Sequence, residues 1–332
     1  MCELLISGFA DEAAIDKTID QQFSAFAALG LNYLSLRFVD VGHGIKNVMD
    51  LSPEELAIVQ KKLDEYDLKI SSIGSPIGKV KLLDVDDGTS NKFFPFDLYL
   101  NQHVEKVCRI AGTLDCKCVR GFSFYHPKGT APEDHVQQAA DHLKQIASIC
   151  DSYGLTFGLE VEANLIGQNA DLLMQIHSTV NHDAIMLIFD GANLITQGYS
   201  KFESIEQFNK MKPALGWLHV KDHVATKTET GGYVDEEALC GFVPAGDGAS
   251  GYPEILSEFK SSYSSIAERV LSRGLPGVFA DLEPHLKGGG QFGGFSGPDG
   301  FGIATRAFCQ TCNDIGISFP LRAFESISSP SY

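Results

Sequence analysis

Leu155-Thr-Phe-Gly-Leu-Glu160 and, one helical interval later, Ala184-Ile-Met-Leu-Ile-Phe-Asp190 are the runs on which the fold turns. Each is apolar, of strand length and closed by a carboxylate. Working outward, Leu215-Gly-Trp-Leu218 runs into His219, and Gly277-Val-Phe-Ala-Asp-Leu282 runs into Glu283. Four polar residues thus stand at the ends of four successive strand candidates. They can meet only if those strands share one end of a common sheet. The C-terminal face of a parallel α/β barrel supplies that arrangement.

The rest of the chain agrees. Strand candidates begin near Leu4, Tyr33, Lys69, Cys118, Thr156, Ile185, Gly216 and Gly277, with helical periodicity between them. Ser52-Pro-Glu-Glu55 predicts a capping box at one helix start, and Thr130 with Glu133 predicts another. Val136, Ala139, Leu143, Ile146, Ala147 and Cys150 then recur at spacings of three and four, an inward-facing stripe ended by Tyr153-Gly154. No Gly-x-Gly-x-x-Gly turn follows the first strand, which weighs against a doubly wound dinucleotide fold. The expectation is one (β/α)₈ barrel over residues 1–320 and a short tail over 321–332. Two connections, Gly74 to Pro95 and Val224 to Tyr252, exceed simple turns and are expected to shape access to the catalytic face.

Composition narrows the function. The net charge of −17, from 26 basic against 43 acidic residues, repels phosphate backbones and argues against nucleic acid as a partner. No run approaches the roughly 20 apolar residues of a membrane span. Met1-Cys-Glu-Leu-Leu-Ile-Ser7 carries no basic region or cleavage site and reads as the start of a strand. Of eight cysteines, Cys108, Cys116, Cys118 and Cys150 sit in apolar patterns. Cys309 and Cys312 form a C-x-x-C pair within a predicted helix, with no second pair to complete a zinc site. Reduced thiols and a cytoplasmic location are expected.

Two glutamates, an aspartate and an imidazole make a hard donor set for one divalent cation. Such a cation could polarise a sugar carbonyl and acidify the neighbouring C–H, while a carboxylate moves the proton across an enediolate. Glu160 and Glu162 share a strand face, so either could be the ligand; Glu160 is preferred because it directly follows the apolar run. Each of the four also has a structural alternative, because acidic residues at strand ends often cap helices. Asn193, Lys221, His285, Arg37 and Glu162 are candidates to contact substrate, and Asp222 to orient an imidazole. His126, after the fourth strand, could act as a base toward a phenol or hydroxyl. The glycine-rich segment 288–298 could bind phosphate or form a lid bearing Phe292 and Phe295; with Lys287 the one nearby cation, the lid is preferred.

Leu159-Glu-Val-Glu-Ala-Asn164, Asp190-Gly-Ala-Asn193, His219-Val-Lys-Asp222, Gly246-Asp-Gly248 with Tyr252-Pro-Glu-Ile-Leu256, and Asp281-Leu-Glu-Pro284 resemble the xylose isomerase-like TIM-barrel superfamily. That group includes sugar isomerases, ketose 3-epimerases, inosose dehydratases and endonuclease IV. The resemblance implies Glu160, Asp190, His219 and Glu283 as ligands of one metal ion, manganese first and magnesium, cobalt or zinc as alternatives. It also implies Glu160 and Glu283 as the proton-transfer pair of a sugar or keto-sugar isomerase or epimerase. Asn193 stands where the ketose epimerases carry histidine, and their substrate-binding arginine has no counterpart among Val224 to Gly231. Both departures weigh against simple ketose 3-epimerase activity. Phe122-Ser-Phe-Tyr-His-Pro-Lys-Gly129 and the 286–298 segment are similar to the branch containing the large subunits of C-glycoside deglycosidases. That branch implies a lyase eliminating an aromatic aglycone from a 3-keto-C-glycoside, with His126 as the base and a small partner subunit. A homo-oligomer is an alternative assembly, and a non-catalytic sugar-binding subunit is the contrasting reading.

Overall fold

The computed structural model describes residues 2–227, 229–289 and 293–323. At its centre lie eight strands: β1 (Leu5–Gly8), β2 (Tyr33–Leu36), β3 (Lys69–Ile77), β4 (Cys118–Gly121), β5 (Thr156–Glu160), β6 (Ile185–Asp190), β7 (Leu215–Val220) and β8 (Phe279–Leu282). They pair in parallel in the order β1-β8-β7-β6-β5-β4-β3-β2. The bridge Phe9↔Ser35 joins the remaining seam between β1 and β2. The chain is therefore a (β/α)₈ barrel, and each strand begins where the apolar runs begin.

The barrel helices are α1 (Ile19–Ala28), α2 (Pro53–Tyr66), α3 (Glu105–Thr113), α4 (Val136–Ser152), α5 (Ala170–Val180), α6 (Lys201–Met211), α7 (Tyr252–Ser272) and α8 (Gly297–Ile315). The Ser52–Glu55 capping box forms as expected, and Ser200 with Glu203 makes a second at α6. The box expected at Thr130 and Glu133 does not form. Pro132 opens a 3₁₀ turn over Pro132–His135, which delays α4 to Val136. Thr130 Oγ1 instead donates to the Pro127 carbonyl and meets His135 Nε2. The apolar stripe of α4 is fully buried, and Gly154 ends the helix region at φ +67°.

Close packing fixes the barrel interior. Gly158 on β5 faces Trp217 on β7, and a Cβ there would lie 2.1 Å from the indole Cη2. β3 runs on to Ile77, so the long connection after it starts at Gly78 rather than Gly74. Two small antiparallel pairs, Phe38–Asp40 with Ile45–Asn47 and Asp222–His223 with Phe242–Val243, were not foreseen. All eight cysteines are free; Cys108 Sγ and Cys150 Sγ lie 3.8 Å apart, in contact rather than bonded. Among the described residues no helix is long and apolar enough to cross a membrane.

Candidate metal centre

Glu160 ends β5, Asp190 ends β6, His219 is the penultimate residue of β7, and Glu283 follows β8. Asp190 and His219 stand opposite each other in the β6–β7 ladder. One ligand atom from each of the four lies within 4.8 Å of all the others, and all four residues are buried. His219 Nδ1 is 3.1 Å from Glu160 Oε1, yet neither ring nitrogen is aligned for a hydrogen bond with any described residue. Asp190 Oδ2 is likewise without one, though Lys221 Nζ lies 3.1 Å away. Buried polar groups rarely go unpaired. Three carboxylates plus an imidazole whose nitrogens have no other described partner suit one divalent cation, so these residues fit that group.

Every carboxylate of the cluster has a cationic neighbour. Arg120 Nη1 is 3.2 Å from Glu160 Oε2, and Asn193 Nδ2 donates to Glu160 Oε1 at 3.3 Å. Lys221 Nζ lies 3.1 Å from both Asp190 Oδ2 and Glu283 Oε2. Arg37 Nη1 reaches Glu283 Oε1 at 2.6 Å. Burial opposes ionisation of Glu160, but His219 and Arg120 outweigh it and hold the carboxyl at about 2. Burial pushes Asp190 up to about 7, aided by Glu160 and Glu283 and opposed by Lys221. Glu283 stays well below the usual carboxylate range because Lys221, His285 and Arg37 overcome its burial.

The other sequence candidates divide. Arg37, Glu162, Asn193, Lys221 and His285 all line a cavity of about 880 Å³ above the cluster. Glu162, the alternative ligand, stands apart from the four and pairs with Lys79 Nζ at 2.8 Å. His126 is not on the cavity wall. It is half-buried, its Nδ1 3.2 Å from the Pro127 carbonyl oxygen and its ring stacked on His135. Asp222 orients no imidazole of the cluster. Its two oxygens accept the backbone N–H groups of His223, Gly246, Gly248 and Ser250, tying down the connection after β7. Tyr252 Oη adds to that clamp, accepting the Lys221 N–H and facing the His219 and Lys221 carbonyls. Lys287 is paired with Asp299, and Phe295 is off the cavity wall; Phe292 lies outside the described residues.

Sequence reasoning missed Arg120, Asp11, Glu12 and Phe9. Arg120 stood in plain view as the one charge within β4, and Asp11-Glu12 as an acidic pair just past β1. The two long connections both contribute wall, Val80 and Phe94 from the first and Tyr233 and Phe242 from the second.

Residues 23–267 match the model of the xylose isomerase-like TIM barrel family. The chain belongs to that family. No curated protein matches it. Among solved structures, it is similar to a xylose isomerase-like TIM barrel protein from Mycobacterium smegmatis in complex with magnesium (15% identity, TM-score 0.61, 95% of this chain and 98% of that one). It is also similar to the IolI protein with a bound zinc atom (16% identity, TM-score 0.62, 94% and 98%). A third is 3-keto-D-glucoside 4-epimerase from E. coli (10% identity, TM-score 0.57, 94% and 100%). At these identities the likeness is one of fold.

Proposed function

We propose that this family member is a divalent-metal-dependent enzyme that transfers a proton on a sugar or keto-sugar, with isomerisation or epimerisation as the outcome. The observation that carries the reading is the buried quartet of donors around a histidine whose nitrogens have no described partner. Glu160, Asp190, His219 and Glu283 would hold the cation, and manganese is the ion proposed, with magnesium, cobalt and zinc as alternatives. Bound there, it would act as a Lewis acid on a substrate carbonyl. The solved relatives that carry magnesium and zinc, and the one that epimerises a 3-keto-glucoside, support this reading.

The chain's own residues supply the rest. Glu160, kept ionised, can accept a proton, and Asn193 and Arg120 hold its two oxygens in place. Glu283 is held at both oxygens by Arg37 and Lys221 and forms the other member of the proton-transfer pair. Lys221 and Arg37 also border the cavity, within reach of substrate oxygens.

A second reading, elimination of an aglycone from a 3-keto-C-glycoside, is favoured by the size and lining of the cavity. At about 880 Å³ it falls near the top of the roughly 300–1,000 Å³ range of drug-sized ligand sites. Its lining includes Phe38, Phe94, Tyr99, Phe122 and Tyr233, surface suited to a planar aromatic group.

The test is metal analysis of the purified protein, then incubation with free ketoses and 3-keto-glycosides in deuterium oxide. Bound metal with deuterium incorporation or aglycone release, abolished in Glu160→Gln and Glu283→Gln, supports the enzyme and selects its branch. Metal-free protein, or exchange indifferent to both substitutions, sinks it. Metal and sugar binding without turnover would favour a non-catalytic sugar-binding subunit.

A further inference from the structure

A second group of metal-type donors, Glu12, Glu283 and His285, lies beside the first and shares Glu283 with it. Glu12 is fully buried and His285 is 6% exposed. Glu12 Oε1 and His285 Nδ1 stand 2.5 Å apart, yet neither is aligned for a hydrogen bond with any described residue. The other carboxylate oxygen, Oε2, is fixed by the His285 N–H and the Ser296 hydroxyl. His285 itself is held in a left-handed backbone conformation at φ +52°, against the edge of Phe242, and a Cβ on Gly294 would collide with its ring. A non-glycine residue in that region is strained and persists only where its surroundings over-determine it.

The guanidinium of Arg37 sits among these donors. Its Nη1 is 2.6 Å from Glu283 Oε1, its Nη2 is 3.7 Å from Glu12 Oε1, and Asp11 takes Nε and Nη2 from the other side. The group is buried and lies 4.5 Å above the Phe9 ring. The acidic neighbours raise its affinity for its proton further, so it is a cation that cannot dissociate.

We propose that the Arg37 guanidinium occupies the place of a second metal ion. Two donor groups share Glu283, each of a type that would suit a cation, and this chain fills one place with a covalently tethered charge. The consequence for the reaction, which rests on the function proposed above, is a permanent positive group at the Glu283 end of the substrate. One exchangeable ion then remains where two-metal enzymes need two.

The experiment counts ions. Wild-type protein, Arg37→Met and Arg37→Met/Glu12→Gln are stripped with chelator, dialysed against Mn²⁺, and assayed for metal per chain by elemental analysis and by calorimetric titration. The expected result is one more Mn²⁺ per chain in Arg37→Met than in wild type, returning to the wild-type count in the double variant. An unchanged count in Arg37→Met overturns the proposal, as does an extra ion that survives loss of Glu12. If Arg37→Met unfolds when stripped, refolding is followed against Mn²⁺ concentration. A transition needing more ions per chain than the wild type binds supports the proposal, and one needing the same number overturns it. A wild-type count of zero would strike the proposed enzyme function, whereas only the difference between variants decides the role of Arg37.

Discussion

His219 Nδ1 and Glu160 Oε1 lie 3.1 Å apart at the ends of β7 and β5, close but not hydrogen-bonded. Asn193 already engages Glu160 Oε1, but the buried imidazole has no described partner and is costly unless something engages it. Mn²⁺ at a hundredfold excess over its Kd should therefore stabilise the folded chain by about 2.7 kcal/mol. His219→Ala should abolish most of that gain. Thermal unfolding with and without Mn²⁺ reads the difference, and an equal shift in both proteins would remove His219 from the ligand set.

The same stabilisation should depend on pH. Asp190 is pushed from 3.8 up to about 7, first by burial and then by its acidic neighbours. A raised folded value means that the metal-free protein loses stability as pH climbs from the unfolded value through the folded one. A cation bound to the ionised carboxylate removes that loss, and its binding competes with protons. The rise in unfolding temperature on adding Mn²⁺ should be larger at pH 8 than at pH 5.5. A shift of the same size at both pH values would contradict the environment assigned to Asp190.

Asp222 anchors four backbone amides of the connection between β7 and α7. Bonds to a charged acceptor contribute about 1.5–3 kcal/mol each when counted singly, and four on one carboxylate do not add. Asp222→Ala should cost about 3 kcal/mol overall and expose residues 224–251 to protease well before the barrel unfolds. Proteolysis followed by mass spectrometry locates the first cut. A first cut elsewhere would show that the segment does not rely on this anchor.

Gly158→Ala tests the barrel interior. The added methyl would meet Trp217 where no side chain can move aside easily, because the indole is itself 1% exposed. Overpacking of this kind costs about 1–3 kcal/mol or more. A fall in the urea midpoint at unchanged slope is expected, and a midpoint equal to wild type would mean that the indole repacks freely.

The strands and four strand-end donors were legible because each obeys a local rule: an apolar run of fixed length, followed by a polar residue. What escaped was decided by partners remote in the chain. Arg120 looks like an ordinary charge until Glu160 is brought to 3.2 Å of it, and Glu12 like a surface residue until His285 folds back over it. Thr130 misled for the converse reason. Its sequence neighbours fit a capping box, but Pro132 turned the chain and set Thr130 against His135, the ring on which His126 also stacks. Asp222 adjoins the conspicuous His219-Val-Lys221 run, and only the placement of Gly246 to Ser250 shows which groups it serves.

The four donors come from β5 to β8, while Arg37 and Arg120 come from just after β2 and from within β4. A fragment holding only the later half of the chain would possess the entire ligand quartet but neither arginine. It would gather acidic groups with only Lys221, His219 and His285 to offset them, and their mutual repulsion would oppose its compaction. Joining the earlier half brings the two guanidinium groups that relieve this strain. The charges at the mouth thus act as a latch between the halves of the barrel, and complementation of two separately expressed halves should be sensitive to salt.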